Sequence, residues 1–81
     1  MKGFDRIGVA DHLSLSSGNL ILFADRKVKI GEPVHSQSRQ KIGRVFDFFG
    51  PVSKPLIAVR IDGEDYESHL GRPLFVKASR R

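Results

Sequence analysis

Short apolar segments separated by turn residues make up most of the chain of 81 residues. No segment keeps the i, i+3, i+4, i+7 spacing of an amphipathic helix over about ten residues, whereas apolar runs bounded by Gly, Pro, Asn and Asp are typical of strands. We therefore predict an all-β domain, a small barrel or a sandwich, with no intervening helix. The predicted strands cover residues 6–12, 19–24, 31–35, 41–49, 56–61 and 74–76.

Turn residues set the limits of these strands. The serine-rich segment 14–19 and the pair Asp62-Gly63 both predict turns. The fourth predicted strand is the longest, and Gly50-Pro51 ends it. Pro33 has no backbone N–H to donate to a neighbouring strand, so we place it at the start of a strand or on an edge strand. Closing such strands into a barrel removes free edges that promote aggregation. We assign residues 1–76 to one β-barrel domain and 77–81 to a short basic tail.

The segment before the predicted fifth strand is unusually apolar for a loop. Alternation within residues 56–61 places Leu56 and Ala58 on the outside of the core. The preceding residues 48–55 contain two phenylalanines, two prolines and a valine. Exposed apolar patches mark docking sites, and the prolines restrict the loop before binding. The alternative is that Phe48, Phe49 and Val52 fold back and close one end of the barrel.

Composition limits the class of protein. An apolar fraction of 40% supports one modest core and no deep substrate cavity. The chain has no cysteine, which excludes disulfides and thiolate metal sites, and no apolar run approaches the roughly 18 residues of a membrane span. The first residues also lack the apolar run of a signal peptide. We therefore expect a soluble cytoplasmic protein without a membrane partner.

A net charge of +5 favours association with a polyanion such as RNA. The basic residues are spread along the chain, so an evenly solvated surface and a phosphate-contacting face stay as alternatives. In the predicted fourth strand, Phe46 and Phe48 share a face with Arg44, which suits base stacking beside a phosphate contact, although core packing explains the pattern equally well. The candidate RNA-proximal residues are Arg44, Lys54 and Arg60.

Residues suited to catalysis or metal binding are scattered. His12, His35 and His69 have no carboxylate at a metal-ligand spacing. The serine-rich turn lacks the G-x-S-x-G elbow of a hydrolase, and the acidic stretch 62–67 lacks the spacing of an EF-hand loop. We therefore expect a protein that is not an enzyme, with no catalytic residue, no metal and no cofactor.

A longer motif lies in the second half of the chain. It reads Ile42-Gly43-x-Val45-x-Asp47-x-Phe49-Gly50-Pro51-Val52-x-x-Pro55, followed by Ala58-Val59. The part G-P-V-x-x-P is the most specific, and segments 31–34 and 71–76 support it. With these residues the chain resembles the Gar family, the small barrel subunit of H/ACA ribonucleoproteins, which guide pseudouridine formation in RNA.

The resemblance implies a closed six-stranded β-barrel with Greek-key-like connections. It also implies a non-catalytic accessory subunit for rRNA pseudouridylation and ribosome biogenesis. Such a subunit binds the catalytic pseudouridine synthase and acts on its mobile thumb loop, so that substrate RNA loads and product leaves. Guide and substrate RNA are then particle components with little direct contact. The implied partner-binding residues are Phe49, Gly50, Pro51, Val52, Pro55 and Leu56.

The sequence departs from the family at two points. Many relatives carry an aromatic residue where Leu56 stands, so the anchor here is aliphatic. Nuclear relatives carry long glycine- and arginine-rich extensions that the 81 residues do not contain, so the chain is similar to the compact archaeal type. Two alternatives stay open: an autonomous RNA-binding barrel that uses a basic surface, and a translation-factor-like barrel within a ribosome-associated assembly.

Overall fold

The computed structural model describes residues 3–78, which form six β-strands. A single 3-10 turn, Glu67–His69, lies in the connection between the last two strands. The all-β class is confirmed, and the observed strand bounds differ from the predicted ones by two residues or fewer. The strands are β1 (Phe4–Leu13), β2 (Leu20–Phe23), β3 (Pro33–His35), β4 (Lys41–Phe49), β5 (Leu56–Ile61) and β6 (Pro73–Lys77).

Antiparallel pairing closes the strands into a barrel in the order β1-β2-β5-β4-β3-β6. Consecutive strands β3, β4 and β5 lie side by side, and β2 returns to pair with β5, which is a Greek-key arrangement. β6 pairs with both β1 and β3 and closes the barrel. The predicted closed six-stranded barrel is thus confirmed.

The core takes inward-facing side chains from every strand. β2 pairs with β1 and β5, and its first three residues are all buried. Pro33 begins β3, as its missing N–H predicts. Each fully buried aliphatic side chain contributes about 1.5–3 kcal/mol to folding. The buried core consists of Ile7, Ala10, Leu20, Leu22, Val34, Val45, Ile57, Val59, Ile61, Leu74 and Val76.

β1 has 10 residues and β4 has 9, so the prediction that the fourth strand is the longest is wrong. The register of β1 shifts between Arg6 and Gly8 against β6, and between Ala10 and His12 against β2. An irregularity of this kind bends a strand and increases its twist, which allows one long strand to pair on both sides of a small barrel. The same shifts interrupt the period of two, and the sequence therefore underestimates the length of β1.

A β-bulge lies in β4 between Val45 and Asp47. Val45 faces the core before the bulge, and Phe48 packs against the core after it. Phe46 stays outside and is 48% exposed. The prediction that Phe46 and Phe48 share one face with Arg44 is therefore wrong, because one extra residue reverses the alternation beyond Val45.

Part of the predicted tail falls within the described chain. Lys77 is the last residue of β6, and residues 79–81 lie outside the described residues, so the tail stays a prediction. No helix within residues 3–78 is long and apolar enough to cross a membrane.

Gly43 allows β4 and β5 to approach each other closely. A Cβ built on Gly43 would lie 2.1 Å from the carbonyl oxygen of Arg60 and 2.9 Å from its carbonyl carbon. Both atoms belong to the backbone of β5, so they cannot rotate away as a flexible side chain does. This approach requires glycine at position 43.

Gly43→Ala should lower the free energy of unfolding by roughly 3 kcal/mol, because the added methyl group forces β4 and β5 apart. Chemical denaturation followed by circular dichroism measures the change. Gly63→Ala is the matched control, since a Cβ there has no heavy atom within 4 Å. Equal stability of the two variants would contradict the close approach.

Candidate functional site

The docking loop, residues 49–56, connects β4 to β5. Phe49 and Leu56 form the last residue pair of the β4–β5 ladder. Gly50 has a φ of +99°, a backbone conformation that is strained for residues with a Cβ. The amide of Lys54 donates a hydrogen bond of 3.0 Å to the carbonyl of Pro51, which closes a turn around the loop tip. The turn hydrogen bond therefore restricts the backbone of the loop tip, and Gly50 permits the φ that the loop requires.

Apolar side chains of the docking loop face outward. Val52 is 100% exposed and Phe49 is 40% exposed. Pro51 is also exposed, whereas Pro55 and Leu56 are half-buried. Phe49 and Val52 therefore do not close the end of the barrel. They are available to a partner surface.

A cleft of about 470 Å³ lies beside the docking loop. Residues 48–52 and Pro55 form one wall, and residues 24–27, which follow β2, form the other. The amide of Ala24 donates a hydrogen bond of 2.9 Å to the carbonyl of Pro55, which joins the two walls. The docking loop is thus one side of a larger concave surface.

Two crossed ion pairs hold the second wall against β1. The Arg6 guanidinium donates to the Asp25 carboxylate at 2.8 Å, and Arg26 donates to Asp5. The amide of Asp25 also donates a hydrogen bond of 2.8 Å to the carbonyl of Ile7. Exposed pairs contribute little stability individually, about 0.2–1 kcal/mol each. Their effect here is to fix the position of the wall.

Positive charge lies at the rim of the cleft. Lys27 is exposed at the second wall, and the Lys54 ammonium lies 5.7 Å from the ring centroid of Phe23. The electrostatic field of an aromatic ring attracts a cation at this distance. The cleft therefore has apolar side chains in one wall and a positive charge at the other.

The outer face of β5 is partly covered. Ala58 faces outward, as predicted, but it is buried on the floor of a groove of about 310 Å³. Phe46 and Phe49 line one side of this outer groove, and serines of the β1–β2 turn line the other. Ala58 therefore adds no exposed area to the docking loop.

Two of the three candidate RNA-proximal residues meet on the outer face of the barrel. Arg44 of β4 and Arg60 of β5 lie directly opposite each other in register. The Arg60 guanidinium lies 4.8 Å from the ring centroid of Phe46. Arg44 donates a hydrogen bond of 3.2 Å to the carbonyl of Gly31. Lys54 lies apart from them, in the docking loop.

A family model described as "Gar1/Naf1 RNA binding region" matches residues 9–80, which include most of the barrel. The chain belongs to the Gar1/Naf1 family. Membership confirms the resemblance of the sequence motif. It associates the chain with H/ACA ribonucleoproteins, in which the family supplies accessory components rather than catalytic ones.

Three individual proteins are similar to this Gar1/Naf1 chain. An uncharacterised protein of Methanothermobacter thermautotrophicus is 34% identical over 74 residues, which cover 86% of this chain and 79% of that protein. An uncharacterised protein of Methanocaldococcus jannaschii is 44% identical over 50 residues, which cover 62% of this chain and 60% of that protein. The solved structure of the Gar1 domain of Naf1 matches with a TM-score of 0.72 and 23% identity, over 93% of this chain and 84% of that one. At this identity the likeness supports the fold alone.

The histidines of the Gar1/Naf1 barrel lie apart from one another. His12 contacts Asp11 at 2.8 Å on the surface, and His35 packs edge-on against the ring of Phe4 with centroids 5.1 Å apart. His69 ends the 3-10 turn. Within residues 3–78 no three His, Cys, Asp or Glu side chains are placed to hold a metal ion together.

The acidic stretch forms an exposed turn. Ser68 donates hydrogen bonds to Asp65 from its hydroxyl at 2.8 Å and from its amide at 3.3 Å. These bonds stabilise the carboxylate and hold the pKa of Asp65 below its ordinary value. The carboxylate therefore orders the turn that leads into Glu67–His69.

The second wall of the cleft is not predicted from the sequence, in which residues 25–27 mark only the end of β2. The acid-base order of Asp5-Arg6 is repeated in Asp25-Arg26, and this repetition permits crossed pairing. The repetition becomes informative only once the two segments are known to be neighbours in the barrel.

Gly50→Val should distort the docking loop, because a β-branched residue is strained at a φ of +99°. We expect a loss of about 1–3 kcal/mol in unfolding free energy, with amide NMR shifts concentrated in residues 48–56. Gly63→Val is the control, since a Cβ at position 63 meets open space. Unchanged amide shifts around the docking loop in Gly50→Val would show that the loop does not depend on this conformation.

Proposed function

We propose that this barrel is a non-catalytic accessory subunit of a cytoplasmic H/ACA ribonucleoprotein that pseudouridylates rRNA. It binds the guided pseudouridine synthase and biases the thumb loop of that enzyme toward states that load substrate RNA and release product. Family membership supports the particle. The observation that carries the docking step is the exposed apolar loop, whose backbone is restricted by two prolines and a turn hydrogen bond.

An ordered loop suits docking because little conformational entropy is left to lose on binding. Pro51, Pro55 and the hydrogen bond from Lys54 to Pro51 already restrict the backbone. Val52 protrudes fully from the tip, and burying such a side chain in a partner pocket contributes about 1.5–3 kcal/mol. The cleft beside it accepts a side chain from the synthase in return. Interfaces that interlock in this way concentrate their binding energy in a few residues.

The effect on catalysis follows from thermodynamic linkage. A subunit that binds one state of the thumb loop more tightly than another shifts the equilibrium between them by that difference in binding free energy. Couplings between sites are typically about 1–3 kcal/mol, which corresponds to about 5- to 150-fold. The barrel therefore changes turnover without supplying any group to the reacting uridine.

Val52→Glu should weaken binding to the isolated guided synthase by at least about 30-fold, because the interface would bury an unpaired carboxylate. Calorimetric titration of the barrel into the synthase measures this. Leu15→Glu is the matched control: it makes the same charge change at an aliphatic residue that is 97% exposed, in the β1–β2 turn. Both variants should keep the unfolding free energy of the parent within about 0.5 kcal/mol, because both sites are on the surface.

A guide-RNA titration run in parallel separates this proposal from an autonomous RNA-binding barrel. Synthase binding that is unchanged in Val52→Glu would remove the docking loop from the interface. Absence of synthase binding by the parent barrel, together with tight binding to guide RNA, would overturn the accessory-subunit proposal.

Turnover of the assembled particle should fall when the barrel is uncoupled. We expect Val52→Glu, added at a concentration that saturates the parent complex, to lower multiple-turnover pseudouridylation by about 5- to 150-fold. Leu15→Glu should leave the rate unchanged. With substrate RNA bound before the reaction starts, a single-turnover rate that falls as far as the multiple-turnover rate would place the effect on chemistry rather than on loading and release.

A further inference from the structure

The pairing of Arg44 with Arg60 is unfavourable in the isolated barrel. Like charges directly opposite each other on neighbouring strands are destabilising. Arg44 and Arg60 are such a pair, and both are exposed. None of the ion pairs found within residues 3–78 includes either arginine. Arg44 donates to the carbonyl of Gly31 and Arg60 lies over the ring of Phe46, so both positive charges stay without a carboxylate partner among the described residues and favour an external anion on this face.

Phe46 gives this site a second property. Its ring is 48% exposed, and the Arg60 guanidinium lies 4.8 Å from its centroid. Phe46 also lines the outer groove, together with the hydroxyl-bearing Ser14 and Ser16 and with Asn19. A planar group that stacks on the Phe46–Arg60 pair therefore has hydrogen-bonding side chains within the same groove.

One carboxylate lies on the same face. Asp47 is exposed at the side of the outer groove, and its carboxylate accepts a hydrogen bond of 2.8 Å from the amide of Phe48. Along β4, Phe46 lies between Arg44 and Asp47. Because the negative charge of Asp47 repels phosphate, phosphate groups are favoured at the arginine end of the groove and not along its whole length.

We infer that Arg44, Phe46 and Arg60 form a binding site for single-stranded RNA, in which the arginines hold phosphates and a base stacks on the Phe46–Arg60 pair. Arginine presents a planar fork that fits phosphate oxygens in a bidentate manner. Aromatic rings and guanidinium planes are the surfaces on which unpaired bases stack. A carboxylate-bearing protein segment would use the arginines, but RNA brings a phosphate and a planar base together in every nucleotide, which matches both halves of the site.

The site lies on the face that leads to the docking loop. From the arginine pair, the outer surfaces of β4 and β5 continue past Phe46 to Phe49 and Leu56. A synthase held at the docking loop would thus be adjacent to RNA held at the arginines. The RNA contact itself does not require the synthase, so the two proposals fail independently.

The test is binding of fluorescein-labelled decauridylate to the isolated barrel, followed by fluorescence anisotropy across a salt series. Each phosphate contact with a single strand contributes a slope of about 0.7 in log affinity against log salt. The double variant Arg44→Gln/Arg60→Gln should lower the slope by about 1.4 and weaken binding more than tenfold in low salt. Phe46→Leu should weaken binding by about 5- to 100-fold, whereas Phe46→Tyr, which keeps a ring, should retain it.

Arg72→Gln/Lys77→Gln is the charge-matched control. It removes the same two charges near β6, which is separated from β5 by two strands in either direction around the barrel. This control should keep at least half of the parent affinity. Thermal unfolding of every variant identifies losses that come from the fold, and Phe46→Tyr separates stacking from strand packing.

Equal losses in the two charge variants would show that binding depends on net charge and would overturn the site. The absence of decauridylate binding by the parent, at a salt concentration low enough for phosphate contacts, would do the same. If Arg44→Gln/Arg60→Gln instead weakened binding to the synthase and left RNA binding unchanged, the arginines would belong to a protein interface.

Discussion

The bulge in β4 decides which aromatic side chains fill the barrel and which stay on its surface. One extra residue at Phe46 turns Phe48 inward, where it packs against the core, and leaves Phe46 and Phe49 outside. With regular alternation from Val45, Phe48 would face outward and the barrel would lack its contribution to the core. The outward position of Phe49 in the docking loop therefore depends on this single irregularity, whereas Arg44, Arg60 and Phe46 would face outward without it. A β-bulge is a common way for a sheet to redirect a side chain at a functional position.

Preorganisation of the concave surface comes from polar contacts at the edge of the barrel. The docking loop is restricted by its two prolines and its internal hydrogen bond, and the opposite wall is held by the crossed pairs of Asp5-Arg6 with Asp25-Arg26. The hydrogen bond from Ala24 to Pro55 joins the two walls. None of these contacts is strong alone, and most are exposed to screening by salt. Together they hold the shape of the cleft and leave its apolar side chains Phe49 and Val52 exposed.

The strand bounds could be predicted from the pattern because turn residues are local signals, whereas the closed barrel and the choice of an exposed docking loop came from the family resemblance. Gly50-Pro51 ends β4, Asp62-Gly63 comes directly after β5, and the G-P-V-x-x-P motif identifies the family. The bulge at Phe46 could not be predicted, since an extra residue leaves no mark in the sequence and changes only which face each later residue of the strand occupies. The register of Arg44 with Arg60 and the second wall of the cleft depend on which strands pair, and that information is non-local. The predicted face of Phe48 is wrong because of the bulge.

The pairing of β1 with β6 has a kinetic consequence. Phe4 pairs with Lys77, and the amide of Ala78 donates a hydrogen bond of 3.0 Å to the carbonyl of Gly3, so the seam joins segments from opposite ends of the barrel sequence. Contacts between distant residues carry a loop-closure cost that must be met before they stabilise anything. Such a barrel folds on the slow side for its size, in milliseconds to seconds rather than microseconds. During synthesis on the ribosome, β1 cannot pair with β6 until nearly the whole domain has emerged.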